Sequence, residues 1–150
     1  MLLRDTHRVQ GTLTIELTKG DGTKESIDLD NLVVSTGLNY VVNRLKENAV
    51  TPMSHIGVGA GTATPESGDT TLGTQLGRVG VTSITVVNNA ITYAATFVPG
   101  VATGAITEAG IFNAATDGVM FSRTVFPVIN KQAADTMSIT WTATFNDAGV

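Results

Sequence analysis

Two long segments of the chain alternate between apolar and polar residues. In residues 10–18, Leu13, Ile15 and Leu17 alternate with Thr and Glu, and in residues 136–145 five apolar residues alternate with Thr and Ser. Successive side chains of a strand point to opposite faces, so this pattern predicts two strands with one buried face and one hydroxyl-lined face. The apolar set of the second segment is Met137, Ile139, Trp141, Ala143 and Phe145. We expect Trp141 to be the anchor of the core.

Further short segments rich in Val, Ile, Thr and Phe are separated by turn residues. Asn88-Asn89 and Asp117-Gly118 are typical of tight hairpin turns, because Asn, Asp and Gly tolerate positive φ. These segments predict strands at 23–34, 53–58, 78–87, 90–98, 105–114 and 119–127. About eight short strands favour a mainly-β fold, a two-sheet sandwich or a jelly-roll-like barrel with one short α-helix.

The helix is predicted after Ser35-Thr36, where the hydrophobic period changes from two to about 3.6. Either Ser35 or Thr36 is a suitable N-cap. The predicted apolar face, which we expect to pack on the sheet, consists of Leu38, Val41, Val42 and Leu45. A second helical turn is predicted at 72–76. The polar loop between the predicted strand 53–58 and this turn, residues 59–71, is long for a small domain. Such a loop favours a functional or interaction surface.

The length of 150 residues indicates one domain, which we place at 9–146, with an N-terminal arm at 1–8 and a tail at 147–150. The chain has no cysteine, which excludes disulfides and thiolate chemistry. A net charge of −4 argues against nucleic acid or an anionic membrane as a partner. No apolar run is long enough for a transmembrane helix, and the charged N-terminus does not resemble a cleaved signal, so we expect a soluble protein.

No arrangement of residues in the sequence indicates catalysis. The two histidines, His7 and His55, are too few for a typical histidine-ligated metal site. The glycine run at 57–61 is followed by Pro65 and Gly68 instead of the helix that a dinucleotide site requires. We therefore expect a non-enzymatic protein without catalytic, cofactor-binding or metal-binding residues.

Two charged residues stand in strands that otherwise carry no charge, Glu108 and Arg123. A charge that faces a core is costly unless it is paired. Arg123 or Arg78 is a candidate partner for Glu108. The sequence favours a structural ion pair or a charge at a subunit interface, and simple exposure of both residues remains an alternative.

Several segments resemble small virion structural proteins of tailed bacteriophages. They are Asn31–Leu38, the stretch Met53–Val79 with its Gly-Val-Gly-Ala-Gly run, Thr107-Glu108-Ala109-Gly110-Ile111-Phe112-Asn113, Arg123–Phe126, Asn130-Lys131 and the Thr-rich last strand. The Thr-Glu-x-Gly-Ile-Phe run is also similar to segments of tail-fibre and collar-type proteins. The resemblance covers about residues 10–145, and its motifs are structural.

The resemblance implies a virion component, made in the host cytoplasm, whose partners are other virion proteins and copies of itself. A tail, collar or fibre-attachment role is favoured over an alternative role as a capsid decoration or cement protein. A further alternative is a receptor- or carbohydrate-binding β module. Such a module needs surface aromatics, and the candidates Trp141, Tyr40 and Tyr93 all fall where core or helix packing is expected.

Overall fold

The computed structural model describes residues 7–46 and 50–147, which form nine strands and one helix. Their bounds are β1 (His7–Thr18), β2 (Lys24–Val33), α1 (Ser35–Leu45), β3 (His55–Gly59), β4 (Gln75–Gly80), β5 (Ser83–Val87), β6 (Ala90–Phe97), β7 (Gly104–Phe112), β8 (Met120–Lys131) and β9 (Thr136–Asp147). The prediction of a mainly-β chain with one short helix is confirmed.

The strands form one antiparallel sheet in the order β4-β3-β7-β8-β2-β1-β9-β6-β5, which curls into a half-barrel. The strand β2 joins its two halves, because residues 24–31 pair with β1 whereas Leu32 and Val33 pair with β8. The two halves therefore belong to one hydrogen-bonded sheet with a shared strand.

The two halves of the sheet enclose a common hydrophobic core. Leu13, Ile15 and Trp141 come from one half, and Ile56 and Ile111 come from the other. Trp141 is 1% exposed, and its Nε1 donates a hydrogen bond to Asn31 Oδ1 over 2.9 Å. The alternation in β9 ends outside this core, since Phe145 is 39% exposed. The prediction that the whole apolar face of β9 is buried is wrong at this residue.

The predicted strand 78–87 is divided into β4 and β5, which lie at opposite ends of the strand order. The chain turns a corner at Val81 and Thr82. Val81 N donates to the carbonyl of Ser54, which precedes β3, whereas Thr82 N donates to the carbonyl of Ala94 in β6. Each half of the sheet thus takes one part of the segment, a tertiary effect that alternation along the sequence does not reveal.

The helix begins at Ser35, with Val34 at the N-cap and no side-chain cap hydrogen bond. The predicted cap at Ser35 or Thr36 is therefore wrong. The Thr36 hydroxyl donates instead to the Met120 carbonyl in β8 over 2.8 Å, and Ser35 N donates to the Ser67 carbonyl. These tertiary hydrogen bonds hold the first turn of α1 in place of a local cap.

The apolar stripe predicted to pack on the sheet is largely exposed. Leu38, Val42 and Leu45 are 47%, 64% and 81% exposed. The face that packs on the core carries Tyr40 and Val41, next to the buried Gly37. A side chain at position 37 would collide with the backbone carbonyl of Phe121 in β8. This close approach of backbone to backbone fixes the rotation of the helix and turns the periodic stripe outward.

The ends of the described strands extend into both predicted terminal segments. His7 and Arg8 belong to β1 and Asp147 belongs to β9, so these three residues are not part of an arm or a tail. The rest of those two segments, residues 1–6 and 148–150, lies outside the described residues. The predicted helical turn at 72–76 is wrong as well, because β4 begins at Gln75 and the residues before it are irregular.

Candidate functional site: a buried carboxylate that holds the β3–β4 loop

Glu108 lies in the middle of β7, between β3 and β8, and its side chain is fully buried. The loop that covers it, residues 60–74, connects β3 to β4. The neighbouring Thr107 hydroxyl donates to the Gly61 carbonyl over 2.9 Å. Two consecutive residues of β7 therefore contact this loop, which is the long polar loop that the sequence indicates as a functional surface.

The Glu108 carboxylate accepts five hydrogen bonds. Its Oε1 accepts from the amides of Gly61 and Thr74, both over 2.8 Å. Its Oε2 accepts from the Gly73 amide over 2.9 Å and from Arg123, whose Nη2 lies at 2.9 Å and Nε at 3.1 Å. Both ends of the loop are thus bound by one side chain.

Arg123 extends this network to the middle of the loop. It lies on β8, is 3% exposed, and donates from Nη1 to Asp69 Oδ2 over 2.8 Å. Asp69 Oδ2 also accepts from the Glu66 amide over 3.0 Å. We call Glu108, Arg123 and Asp69, with the amides of Gly61 and 73–74, the loop clamp. It contacts the loop at its beginning, middle and end.

The glycine run that the sequence offers as a weak phosphate motif has its role in this clamp. A Cβ at Gly59 would collide with the Thr74 carbonyl, and one at Gly61 would collide with the Glu108 carboxylate. Glycine at both positions lets the backbone approach the buried carboxylate closely, and the Gly61 amide donates to it. The sequence marks this run only as an incomplete dinucleotide motif, and it indicates neither Asp69 nor the amides of 73–74 as members of the clamp.

Two opposing effects act on the pKa of Glu108. Burial raises it, because desolvation disfavours the charged form, whereas the hydrogen bonds from Thr74, Gly73, Arg123 and Gly61 lower it. The net pKa lies below the ordinary value of 4.5. Glu108 is therefore a carboxylate at neutral pH, which is the form that all five donors require.

Arg78, the other arginine considered as a partner for Glu108, lies in a different environment. Its guanidinium stacks 3.5 Å from the centroid of the Phe112 ring. It donates to Gln75 Oε1 and to the carbonyls of Ala114 and Asp117. Arg78 thus fixes the β7–β8 hairpin to β4, whereas Arg123 is the arginine that lies against Glu108.

A further buried charge, separate from the loop clamp, lies at the far end of β8. Lys131 is fully buried, and its Nζ donates to the Val98 carbonyl over 3.2 Å. Burial lowers the pKa of Lys131, and the negative charge of Asp135 partly opposes this. Its contact ties β8 to the end of β6.

The loop clamp has the chemistry of a structural site. The carboxylate oxygens of Glu108 accept hydrogen bonds from the loop amides. The carboxylate has no exposed surface on which a substrate could bind. Within residues 7–46 and 50–147, no cluster of three or more His, Asp or Glu side chains could hold a metal ion. No helix in the same residues is long and apolar enough to cross a membrane.

The open side of the half-barrel is the second notable surface. Ile84 and Val86 of β5 pair with Tyr93 and Ile91 of β6, on the face of the sheet that elsewhere forms the core, yet they are 48% and 66% exposed. Beside them lies a groove of about 320 Å³, which separates the sheet from Tyr40, Val41 and Arg44 of α1. The inner face of the sheet is therefore uncovered where β5 ends it.

Comparison of the chain with protein-family models, with curated proteins and with solved structures finds no match.

Proposed function

We propose that the protein is a non-enzymatic structural component of a bacteriophage virion, most specifically a tail, collar or fibre-attachment part that assembles through its β domain. The observation that carries this proposal is the loop clamp. Three of the segments that resemble virion proteins, 53–79, 107–113 and 123–126, supply all of its members, including Glu108 and Arg123. The resemblance thus falls on residues that act together and that have a structural role.

The clamp gives the loop a fixed shape without any ligand. A loop of this length ordinarily samples many conformations, and ordering it costs conformational entropy each time a partner binds. A loop held at three points by buried charged hydrogen bonds has lost that freedom in the fold itself. A protein present in many copies on a particle benefits from this, because each copy presents the same surface to its neighbour.

The finer architecture fits the same role. We propose that the two halves of the sheet, which share β2 and enclose one core, act as the two layers of a sandwich. The loop clamp lies on one half, and the uncovered inner face at β5 belongs to the other. Two surfaces on different halves would let one copy contact two neighbours in an assembly.

A capsid decoration role uses the same residues and is separated from a tail role only by location on the particle. A receptor- or carbohydrate-binding role is less well supported. Trp141 and Tyr93 are 1% and 8% exposed, so neither offers the flat exposed ring that stacks on a sugar. Tyr40 lies in the apolar groove beside α1.

The experiment is to purify particles from the phage or prophage that encodes the chain, and to analyse them by peptide mass spectrometry and immunogold electron microscopy. Label on the tail, collar or fibre base supports the proposal. Label spread over the head shell would favour the decoration role instead. Absence of the chain from particles purified to constant composition would overturn both. A glycan array with the purified full chain tests the carbohydrate-binding alternative, and specific binding there would replace the structural role.

A further inference from the structure

The outer edge of β5 has the properties of a surface that another strand covers. β5 ends the sheet, and its outer edge pairs with no strand in the described part of the chain. All five of its residues, Ser83 to Val87, are exposed. Ile84, Val86 and Val87 are large apolar side chains with 48%, 66% and 62% exposure. An edge strand of this composition is a template for pairing with another chain.

The charges of the two edges decide which partner fits. Natural edge strands are usually protected by charged side chains, and no charged residue occurs anywhere in 79–107. The opposite edge strand, β4, carries Arg78 in its centre, so two copies of β4 in antiparallel pairing would bring like charges together. A two-fold contact between identical strands is therefore electrically neutral at β5 and unfavourable at β4.

We propose that β5 pairs with β5 of a second copy, antiparallel and across a two-fold axis that passes through Thr85. Thr85 then lies opposite Thr85 of the second copy, Ile84 lies opposite Val86, and Ser83 lies opposite Val87. The β-branched pair Ile84–Val86 occurs twice, on the face of the sheet that is uncovered in the single chain. The two half-barrels become one continuous sheet, with the uncovered faces side by side.

The size of a stable interface sets what else the second copy must cover. A standard dimer interface buries about 800 Å² on each partner, roughly a tenth of the 8325 Å² surface of this chain. Five paired residues alone provide less than this. The remainder comes from Phe145, which is 39% exposed, and from the groove that Ile84 and Phe145 line together with Tyr40, Val41 and Arg44 of α1. This inference rests on the proposed function, since the contact is the surface through which copies of the chain associate in the assembly.

The first experiment measures the mass of the full chain by sedimentation equilibrium over a wide concentration range. The wild-type chain should dimerise, and Val86→Lys should shift the dissociation constant at least 100-fold by placing two lysines beside the axis. Val128→Lys is the matched control, since Val128 is 53% exposed and lies on β8. It should dimerise as the wild type does. A wild-type monomer at all concentrations, or equal weakening by both substitutions, would overturn the proposal.

The second experiment tests the register, using the absence of cysteine from the chain. Residues directly opposite in an antiparallel pair have Cα atoms about 4.5–5.5 Å apart, within the range of a disulfide. Thr85→Cys should therefore form a linked dimer under mild oxidation. Ser83→Cys should not, because the two Ser83 positions are displaced by four residues, about 13 Å along the strand. Equal linking of both variants, or linking of neither, would overturn the register.

A third outcome concerns the partner edge. Pairing of β5 with β4 of the next copy would be head-to-tail, and the mass would then grow with concentration without stopping at two. This result would overturn the two-fold contact. The particle experiment above is independent of it, because a chain found on virions without this dimer would leave the virion role intact.

Discussion

Arg123 donates both Nε and Nη2 to a single oxygen of Glu108, Oε2, over 3.1 Å and 2.9 Å. The other oxygen, Oε1, is left entirely to the amides of Gly61 and Thr74. The arginine thus neutralises the charge of the carboxylate without taking the oxygen that binds both ends of the loop. The Glu108–Arg123 ion pair therefore supports the contact between Glu108 and the loop. The strength of this ion pair should be measurable through the free energy of unfolding.

Glu108→Gln should lower the free energy of unfolding by about 3–5 kcal/mol. The amide of glutamine has one acceptor oxygen where the carboxylate has two. Its NH₂ group would therefore face N–H donors that now bind a carboxylate oxygen, and Arg123 would lose its countercharge. Urea titration followed by fluorescence measures the change. Glu16→Gln is the control, because Glu16 pairs with Lys24 on the surface, and it should leave stability unchanged.

A double-mutant cycle identifies which arginine is the partner of Glu108. Glu108→Gln combined with Arg123→Met should show a coupling energy of about 1–3 kcal/mol, because the two side chains share hydrogen bonds. Glu108→Gln combined with Arg78→Met should show additive effects, since the donors of Arg78 bind other residues. Strong coupling to Arg78 and none to Arg123 would contradict the arrangement described here.

Acidification should remove the contribution of Glu108 to stability. Its pKa in the folded protein lies below the ordinary value of 4.5, so its contribution is complete above pH 4.5 and is lost as the pH falls through the folded pKa. The difference in unfolding free energy between wild type and Glu108→Gln should therefore shrink below pH 4.5. Equilibrium unfolding at several pH values measures this difference, and a constant difference down to pH 2 would disprove the effect.

Trp141→Ala should cost about 3–5 kcal/mol, because it empties a site at the centre of the core. Trp141→Phe should cost less, although it leaves Asn31 Oδ1 without its donor, a loss of about 1–3 kcal/mol. Trp141 is the single tryptophan, so the emission maximum of the wild-type chain reports its environment. We expect blue-shifted emission that moves to longer wavelength on unfolding, and solvent-exposed emission from the folded chain would contradict its burial.

Gly37→Ala should destabilise the protein although alanine favours helices. The gain in helix propensity is about 1 kcal/mol, whereas forcing α1 away from the Phe121 carbonyl costs about 1–3 kcal/mol or more. The matched control is Gly68→Ala, since no atom lies within 4 Å of a Cβ built there. Thermal unfolding should show a lower melting temperature for position 37 only. Equal melting temperatures for both variants would show that α1 is free to shift.

The sequence predicts those parts of the fold in which local pattern and tertiary environment agree. The buried face of β1 and the turns at Asn88 and Asp117, which both adopt positive φ, are predicted from neighbouring residues alone. The rotation of α1 is not, because the contact at Gly37 outweighs the apolar stripe that includes Val42 and Leu45. A periodic stripe shows that one helix face is apolar, and it does not show what covers that face.

The candidate site shows the same division. A charge in an uncharged strand predicts that Glu108 needs a partner, and two arginines satisfy that requirement equally well in sequence. The choice of Arg123 depends on β7 and β8 being adjacent, with Gly110 opposite Arg123 in the register. The backbone amides of Gly61 and 73–74 could not be predicted, because every residue except proline has an amide and only the path of the loop brings these three to the carboxylate.

The pairing of β1 with β9 along all twelve residues of each strand has a consequence for synthesis. Two central strands of the sheet come from nearly opposite ends of the described chain, so the half-barrel cannot form while β9 is still in the ribosome. Contacts between residues so far apart in sequence also slow folding. The surface of β5 lies beside β6, which itself depends on β9 for its other neighbour. The appearance of β9 therefore sets the earliest point at which a copy can join another, since a copy without β9 lacks the scaffold beside which β5 lies.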